Sequence, residues 1–242
     1  MKASEIVPFA PERIALIRRV LSVAETDAPV WDPGQTYVYS DGSGGRKQAT
    51  VSIGFTADGG NLRKMLEAYV DAGGSFGPQF APWIGLLKAG NPCTDKEFRS
   101  LVREAAKDPL FGKTQQDCFE DFYLGPAFQW GKDHGFVRPL SYLVIADSFL
   151  HSGSILSALR NQFPERIPKD GGDGRSWVHA YTRVRRDWLA NHSRTILHAT
   201  VYRCDCYLKE IARGNWDLTE EPIVMNGQSV YREERAQPSA SS

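Results

Sequence analysis

The sequence predicts an α+β fold that is mainly α-helical and contains one small β-sheet. Apolar residues recur at helical spacing along most of the chain, as in the segment that contains Ile14, Ile17 and Leu21. Strand-like runs between turn residues are concentrated in residues 36–55. The 242 residues suffice for one larger domain, or for two lobes that share a cleft. We therefore expect helices to build most of the core.

Charge and composition argue against several classes of protein. Lys plus Arg and Asp plus Glu both number 29, so the formal net charge is zero, which argues against a nucleic-acid-binding protein. No apolar run approaches the roughly 20 residues that a membrane-spanning helix needs. The first residues lack the continuous apolar stretch of a secretory signal peptide. We expect a monomer that is made in the cytoplasm, or a domain of a longer chain.

The four cysteines do not form a recognisable metal site. Cys204 and Cys206 are separated by a single residue, which is not the spacing of a zinc site, and Cys93 and Cys118 are isolated. We predict four free thiols that are at least partly buried. No metal or organic cofactor is expected.

The secondary structure can be assigned in chain order. A first helix is predicted for residues 11–25, with Pro11 near its start. Two strands, Thr36–Tyr39 and Ala49–Phe55, flank a turn with the sequence SDGSGGR. Further helices are predicted for residues 62–72, 94–107, 114–134 with a bend at Gly125-Pro126, 139–151, 177–190 and 193–213. We assign residues 1–227 to one domain and expect the polar tail, residues 228–242, to be disordered.

Two carboxylates in the first part of the chain form a candidate catalytic pair. Glu25 lies at the end of the first helix, where the negative helix terminus disfavours an ionised carboxylate. Asp41 lies in the glycine-rich loop near Arg46, where it stays ionised more easily. Glycoside hydrolysis uses one protonated and one ionised carboxyl group. A surface Glu at a helix end and an Asp in a polar turn explain the same pattern without any chemistry.

A second pair, Asp147 and His151, lies four residues apart on the apolar helix 139–151. Such a pair could bind a metal ion or relay a proton. In an apolar helix, a buried polar contact with another side chain explains it better.

Several segments, in a fixed order, resemble one family of enzymes. These are VAET at 23–26, GGRKQATVSIGF at 44–55, AAKDPLF at 105–111, ADSFLHSG at 146–153 and GNWDL at 214–218. Together they resemble the chitosanases of glycoside hydrolase family 46, within the lysozyme-like superfamily. The resemblance implies a lysozyme-like fold with two lobes and a cleft between them. It also implies inverting cleavage inside a polymer of β-1,4-linked amino sugars.

The same resemblance implies roles for individual residues. Glu25 matches the general acid of the family, and Trp31 and Arg46 match positions near the catalytic loop. Asp147 matches an Asp that joins a charged network with arginines from later helices. Arg185 is the best match for one of these arginines, and Arg203 or Asp205 is a further candidate member.

The catalytic loop departs from the family pattern. Counting back from the motif Ile-Gly-Phe without gaps, the catalytic Asp of the family falls on Gly44, and the nearest carboxylate is Asp41. The loop is therefore re-threaded so that Asp41 acts as the base, or the base is absent, or it is supplied by another residue such as Asp58. A glycan-binding module without turnover is the alternative function that this departure suggests.

Two substrate contacts depart as well. The Thr that holds the attacking water falls on Ala49, with Thr50 adjacent, and the acidic residue that binds a glucosamine ammonium group falls on Asn61. Chitosan is a polycation and favours an acidic cleft. These departures therefore place peptidoglycan glycan strands slightly ahead of chitosan as the substrate. The enzyme would then act on cell wall or other extracellular polysaccharide after release or delivery, and a toxin of this kind would have an immunity protein that caps the cleft.

Overall fold

The computed structural model describes residues 2–233, and their arrangement is mainly helical. The first half of the chain contains α1 (Ala3–Ile6), α2 (Pro11–Thr26), α3 (Asn61–Asp71), α4 (Gly77–Lys88), α5 (Lys96–Ala105) and α6 (Pro109–Phe119). The second half contains α7 (Gly125–Asp133), α8 (Pro139–Ser152), α9 (Ser157–Arg160), α10 (Gly174–Ala190) and α11 (Tyr202–Ala212). One antiparallel sheet consists of β1 (Thr36–Tyr39), β2 (Gln48–Val51) and β3 (Phe55–Thr56), and a hairpin consists of β4 (Ile223–Met225) and β5 (Gln228–Val230). The predicted α+β class is confirmed.

The elements form two lobes. In one lobe, α3 packs on β3, α4 and α6 beside the three-stranded sheet. In the other lobe, α8 contacts α2, α7, α10 and α11. Most residues of α8 are buried, as its apolar sequence predicts. A helical rod passes from one lobe to the other through α6, a π-helical turn at Glu120–Leu124, and α7. The predicted bend at Gly125-Pro126 is therefore a π-helical turn that ends where Gly125 begins α7.

Helix α2 carries the first candidate carboxylate toward the boundary between the lobes. It begins with Pro11 in its first turn, where the missing N–H of proline costs no helical hydrogen bond, as the sequence predicts. Its apolar face, which includes Ile17 and Leu21, is fully buried. The helix ends where Asp27 adopts a left-handed conformation with φ 59°. Glu25 therefore lies in its last turn.

The predicted second strand of the sheet is interrupted. Strand β2 ends at Val51, and Ser52 (φ 46°) and Gly54 (φ 68°) both adopt positive φ. The chain turns back there, and Phe55 pairs with Val51 as the start of β3. The prediction of one strand from Ala49 to Phe55 was wrong because the motif Ser-Ile-Gly forms a turn. Strands β1 and β2 pair in the register Tyr37 to Thr50, which places these two residues side by side.

The predicted helix 193–213 is also divided. Residues Thr195–Thr200 form a 3-10 helix, and α11 begins at Tyr202. Arg194 precedes this 3-10 helix and adopts an extended backbone conformation. It therefore lies on an irregular connection between α10 and the 3-10 helix, from which its side chain reaches the other lobe.

Ordered structure extends past the predicted domain boundary at residue 227. Strand β5 pairs with β4, with Ile223 opposite Val230, and both of these residues are fully buried. Asn226 and Gly227 have φ 49° and 80°, as a two-residue hairpin turn requires. Residues 228–230 of the predicted disordered tail are therefore a strand, and residues 234–242 lie outside the described part of the chain.

The four cysteines are free and buried, as predicted. None of the helices in residues 2–233 is long and apolar enough to cross a membrane.

Candidate active site

A cleft of about 610 Å³ lies between the lobes. Four of the predicted site residues line it together: Glu25, Asp41, Thr50 and Asn61. Glu25 comes from the end of α2 in the helical lobe, whereas the other three come from the lobe that holds the sheet. The structure thus brings both candidate carboxylates to one cavity from opposite sides.

Glu25 is fixed by an arginine from α11. Its Oε1 accepts a hydrogen bond from Arg203 Nη2 at 2.6 Å, and the same nitrogen donates to the carbonyl oxygen of Ala24 at 2.6 Å. The Glu25 side chain is 15% exposed, whereas that of Arg203 is 4% exposed. Arg203 therefore holds the carboxyl group from the protein side, and the carboxyl group lines the cleft.

Behind Glu25 lies a buried charged network. Arg203 Nη1 donates to Asp147 Oδ1 at 2.8 Å, and Arg185 Nη1 donates to Asp147 Oδ2 at 2.5 Å. The side chains of Asp147 and Arg185 are 0% exposed. The contact that the sequence predicts between Asp147 and Arg185 is present, and Arg203 is the further member. Asp205 is not part of this network, because it pairs with Arg186 at the surface.

The network has fixed charges. Burial by itself would raise the pKa of Asp147, but the guanidinium groups of Arg185 and Arg203 hold that pKa well below its usual range. Burial would lower the pKa of Arg203, but Glu25 and Asp147 raise it well above its usual value. His151 contacts Arg185 through Nδ1 at 3.2 Å, and burial together with the two arginines lowers its pKa well below the usual value. His151 is therefore neutral near pH 7, and both it and Asp147 serve as polar contacts of Arg185.

Asp41 is held by contacts from two other segments. Its Oδ1 accepts a hydrogen bond from Gln48 Nε2 at 3.1 Å, and its backbone carbonyl accepts one from Arg194 Nη2 at 2.5 Å. Gln48 is 4% exposed, and its Oε1 accepts from the backbone N–H of Asp58 at 2.7 Å. Gln48 therefore links the loop of Asp41 to the chain after β3.

The turn that follows Asp41 contains Gly44, on which the ungapped count falls. Gly44 lies in a short 3-10 turn with φ 66° and has no atom within 4 Å of the place a Cβ would occupy. At Gly42, a Cβ would lie 2.6 Å from Asp58 Oδ2, so only glycine fits there. Asp58, the other candidate base, accepts from the backbone N–H of Ser43 at 2.7 Å and pairs with Arg46. The first of these contacts is the main reason that its pKa is lowered. Asp41 lines the cleft and Asp58 does not.

Two predicted site residues lie away from the cleft. Arg46 pairs with Asp58, not with Asp41, and donates to the carbonyl oxygen of Gly90 at 3.0 Å. Trp31 donates from Nε1 to Gln115 Oε1 at 3.2 Å, and its ring packs edge-on against Phe119. It lines a separate concavity beside α2.

Thr50 and Asn61 differ in their hydrogen bonding. Thr50 Oγ1 is buried and has no hydrogen-bond partner among the described residues, and Thr50 lines the cleft. Asn61 Nδ2 donates to the hydroxyl of Tyr123 at 2.8 Å, and that hydroxyl donates to the carbonyl oxygen of Gly54 at 2.8 Å. The Thr50 hydroxyl is therefore buried and unpartnered at the wall of the cleft, whereas the amide of Asn61 holds the neighbouring turn.

The structure places three further residues in the cleft: Tyr37, Tyr39 and Arg194. Tyr37 and Tyr39 stack on one another with ring centroids 5.4 Å apart, and Tyr39 is 45% exposed. Both line the cleft, as does Arg194. The alternation in Thr-Tyr-Val-Tyr puts both rings on one face of β1, so sequence alone indicates that the two tyrosines lie together. Arg194 has no such local signal.

A two-lobed helical fold with two carboxylates facing one cleft is the arrangement of a glycosidase that cuts polysaccharides. The profile of Glycosyl hydrolase family 46 matches residues 19–223, and the chain belongs to this family. The predicted family is thus confirmed, and the protein is a glycoside hydrolase. The family assignment argues against the alternative of a glycan-binding module without turnover.

Relatives of known activity support this assignment. A chitosanase of Streptomyces sp. strain N174 is 23% identical over 237 residues, which cover 89% of this chain and 83% of the relative. A chitosanase of Bacillus subtilis strain 168 is 26% identical over 187 residues, which cover 71% of this chain and 67% of the relative.

Solved structures show the same fold. A family 46 chitosanase of Gynuella sunshinyii, in complex with chitotetraose, superposes with a TM-score of 0.80 at 20% identity and covers 94% of this chain and 100% of its own. The native chitosanase of Bacillus subtilis MY002 also gives a TM-score of 0.80 at 20% identity, with coverage of 92% and 100%.

Proposed function

We propose that this chain hydrolyses β-1,4 bonds inside an amino-sugar polysaccharide with inversion, using Glu25 as general acid and Asp41 as general base. The observation that carries this proposal is the approach of the two carboxylates to one cleft from opposite lobes. Inverting enzymes need about 6.5–9.5 Å between the two carboxyl groups, so that a water molecule fits beside the sugar. A cleft that separates the lobes provides such a space.

Glu25 supplies the proton to the leaving oxygen. Arg203 binds its Oε1, so that the carboxylate formed after proton transfer is stabilised by a charge-assisted hydrogen bond. Asp147 and Arg185 hold the guanidinium of Arg203 in place from behind. Positioning of this kind is what general acid catalysis requires, because the proton must be transferred over hydrogen-bond distance.

Asp41 activates the attacking water on the other face of the sugar. Gln48 binds one carboxylate oxygen, Oδ1, and orients the group. We assign Thr50 to help hold the same water, because this residue lines the cleft and its buried hydroxyl has no partner among the described residues. Thr50, not Ala49, takes this part, since Ala49 is fully buried and lines no part of the cleft.

Charge in the cleft favours an acetylated substrate. Beside Glu25 and Asp41, the lining includes the cations Arg194 and Arg203, and Asn61 is neutral. A polycation such as chitosan is repelled by arginines and gains little from a carboxylate already bound to Arg203. Peptidoglycan glycan strands carry N-acetyl groups and no ammonium, so they fit this balance better. Tyr37 and Tyr39 offer apolar ring faces to the sugars of either polymer.

Chitosan is the second candidate, because the relatives named above are chitosanases. Reducing-end release should be measured on purified peptidoglycan and on chitosan in parallel. We expect faster release from peptidoglycan at equal sugar concentration. Release from chitosan alone would refute the argument from cleft charge, and release from neither polymer by folded protein would refute the proposed activity.

The assignment of the base is tested by comparing two loop carboxylates. Asp41→Asn is expected to lower the rate of hydrolysis about a hundredfold, because an amide cannot accept the proton of water. Asp58→Asn removes the same charge from the neighbouring segment after β3, and Asp58 lies outside the cleft. Rates should be measured by reducing-end release under saturating polymer.

Because Asp58 binds Arg46 and Ser43, its variant is expected to show a smaller loss, with a lower melting temperature. If Asp58→Asn lost more of the rate of hydrolysis than Asp41→Asn, Asp58 and not Asp41 would be the general base.

A further inference from the structure

Arg194 reaches across the cleft from the helical lobe to the loop of the proposed base. Its Nη2 donates to the carbonyl oxygen of Asp41 at 2.5 Å. The remaining guanidinium N–H groups have no protein partner among residues 2–233, although Arg194 lines the cleft. A guanidinium presents five donors in a planar fork. One nitrogen of Arg194 therefore binds the loop, and the other guanidinium N–H groups are available to a ligand.

A side concavity of about 790 Å³ opens beside this arginine. It shares five residues with the cleft: Asp41, Gln48, Gly59, Arg194 and Ile196. The rest of its wall is rich in hydroxyl groups and in glycine backbone, with Ser40, Ser43, Ser193 and Thr195 among its residues. The two concavities are thus continuous at Arg194. A group that branches from a polymer bound in the cleft would pass Arg194 on its way into the side concavity.

The charged side chains that line the side concavity are two carboxylates, Asp41 and Asp58, and one guanidinium, Arg194. Asp58 lines the side concavity, but Arg46 already compensates its charge. The Asp41 carboxylate receives a hydrogen bond from Gln48, whereas Arg194 binds only the Asp41 backbone carbonyl. Among the described residues that line the side concavity, Arg194 is therefore the cation without a hydrogen-bonded carboxylate partner.

We propose that Arg194 forms a subsite for a carboxylate-bearing branch of the glycan, seated in the side concavity next to Asp41. This inference rests on the proposed activity toward peptidoglycan, whose muramoyl sugars carry a lactyl group ending in a carboxylate or in a peptide with carboxylates. Chitosan has no such branch. A planar guanidinium binds carboxylates through paired N–H groups, so Arg194 attracts this branch and repels an ammonium group at the same place.

The test is a binding comparison that needs no turnover. Two disaccharides that differ only in the lactyl group, N-acetylglucosaminyl-N-acetylmuramic acid and N,N′-diacetylchitobiose, are titrated into the Glu25→Gln variant by calorimetry. We expect tighter binding of the muramoyl disaccharide by about tenfold, the size of one hydrogen-bonded charge contact. Adding Arg194→Gln, which keeps an N–H donor for the Asp41 carbonyl, should remove this preference. Adding Arg194→Lys, which keeps the charge, should retain part of it.

Arg183→Gln is the matched control. Arg183 is exposed on α10 and lines neither concavity, so the same loss of charge there should leave the preference unchanged. Equal affinity for the two disaccharides, or a preference that survives Arg194→Gln, would overturn the inference. If the unmodified protein hydrolyses neither polymer but the binding preference is present, the proposed activity is refuted and the subsite is retained.

Discussion

Replacing Glu25 with Gln is expected to lower the rate of polymer hydrolysis about a thousandfold or more, while the protein stays folded. The amide cannot donate a proton of useful acidity to the leaving oxygen. Its carbonyl oxygen can still accept the hydrogen bond from Arg203, so the buried network behind it keeps its partner. The loss should exceed that of the base variant, since water attacks an activated sugar even without a base. Reducing-end release and thermal unfolding together measure both parts of this prediction.

Glu12→Gln provides the control. Glu12 lies in the first turn of the same helix α2 and is exposed, so this variant makes the same chemical change far from the cleft. It should hydrolyse the polymer at the unmodified rate. Retention of more than a tenth of the activity in Glu25→Gln would remove Glu25 from the role of acid. A large drop in melting temperature would show that the substitution disrupted the network rather than the chemistry.

The position of Glu25 could be predicted from sequence because it depends on local structure. Helix α2 follows from its apolar spacing and from Pro11, and the end of a helix has defined electrostatics. A buried polar partner for Asp147 could also be anticipated, because a carboxylate in an apolar helix needs one, and the family resemblance pointed to Arg185. The sequence could not predict that Arg203, and not Asp205, completes the network, because nearby residues of α11 face different surroundings.

Loops were predicted less well, because their course depends on contacts between distant segments. The ungapped count falls on Gly44, in the turn at Ser43–Gly45, whereas the predicted carboxylate, Asp41, lines the cleft. Arg46 is close to Asp41 in sequence but pairs with Asp58, which comes from the other side of the sheet. The hairpin at Asn226-Gly227 differs from these loops, because the Asn-Gly pair is itself a local sequence signal for a two-residue hairpin turn.

The cleft is also assembled from segments that are far apart in the chain. Arg194 contacts a residue 153 positions away, which no local pattern indicates. Trp31 is the opposite case, a residue that is near Glu25 in the chain but away from it in the structure. It lies six residues after Glu25 in the chain, yet its ring turns toward Gln115 and Phe119 and lines a different concavity. Nearness in sequence to a catalytic residue therefore does not place a side chain in its cleft.

Replacing Asp147 with Ala is expected to lower the free energy of unfolding by roughly 3–5 kcal/mol, because it leaves the buried Arg185 without a counter-charge. Arg185 and Asp147 are both 0% exposed, and Arg203 is 4% exposed. Water therefore cannot replace the lost carboxylate without opening the helical lobe. Urea denaturation at neutral pH measures the change. Activity should fall as well, since Arg203 also holds Glu25.

The same contact gives a dependence on pH with a defined sign. The pKa of Asp147 is lowered in the folded protein, so the ionised form is favoured by folding. Its contribution to stability is present above the ordinary Asp pKa of about 4 and is lost as pH falls toward the lower folded value. The difference in unfolding free energy between the unmodified protein and Asp147→Ala should therefore narrow as the pH is lowered below about 4.

Asp205→Ala separates this effect from the loss of any Asp–Arg pair. Asp205 pairs with Arg186 at 2.6 Å, but the two side chains are 42% and 40% exposed, so its removal should cost at most about 1 kcal/mol. If the two variants lowered the free energy of unfolding equally, the Asp147 network would stabilise the protein no more than a surface ion pair does. A cost for Asp147→Ala that stayed constant down to pH 2 would show that packing, and not the charge of Asp147, stabilises the helical lobe.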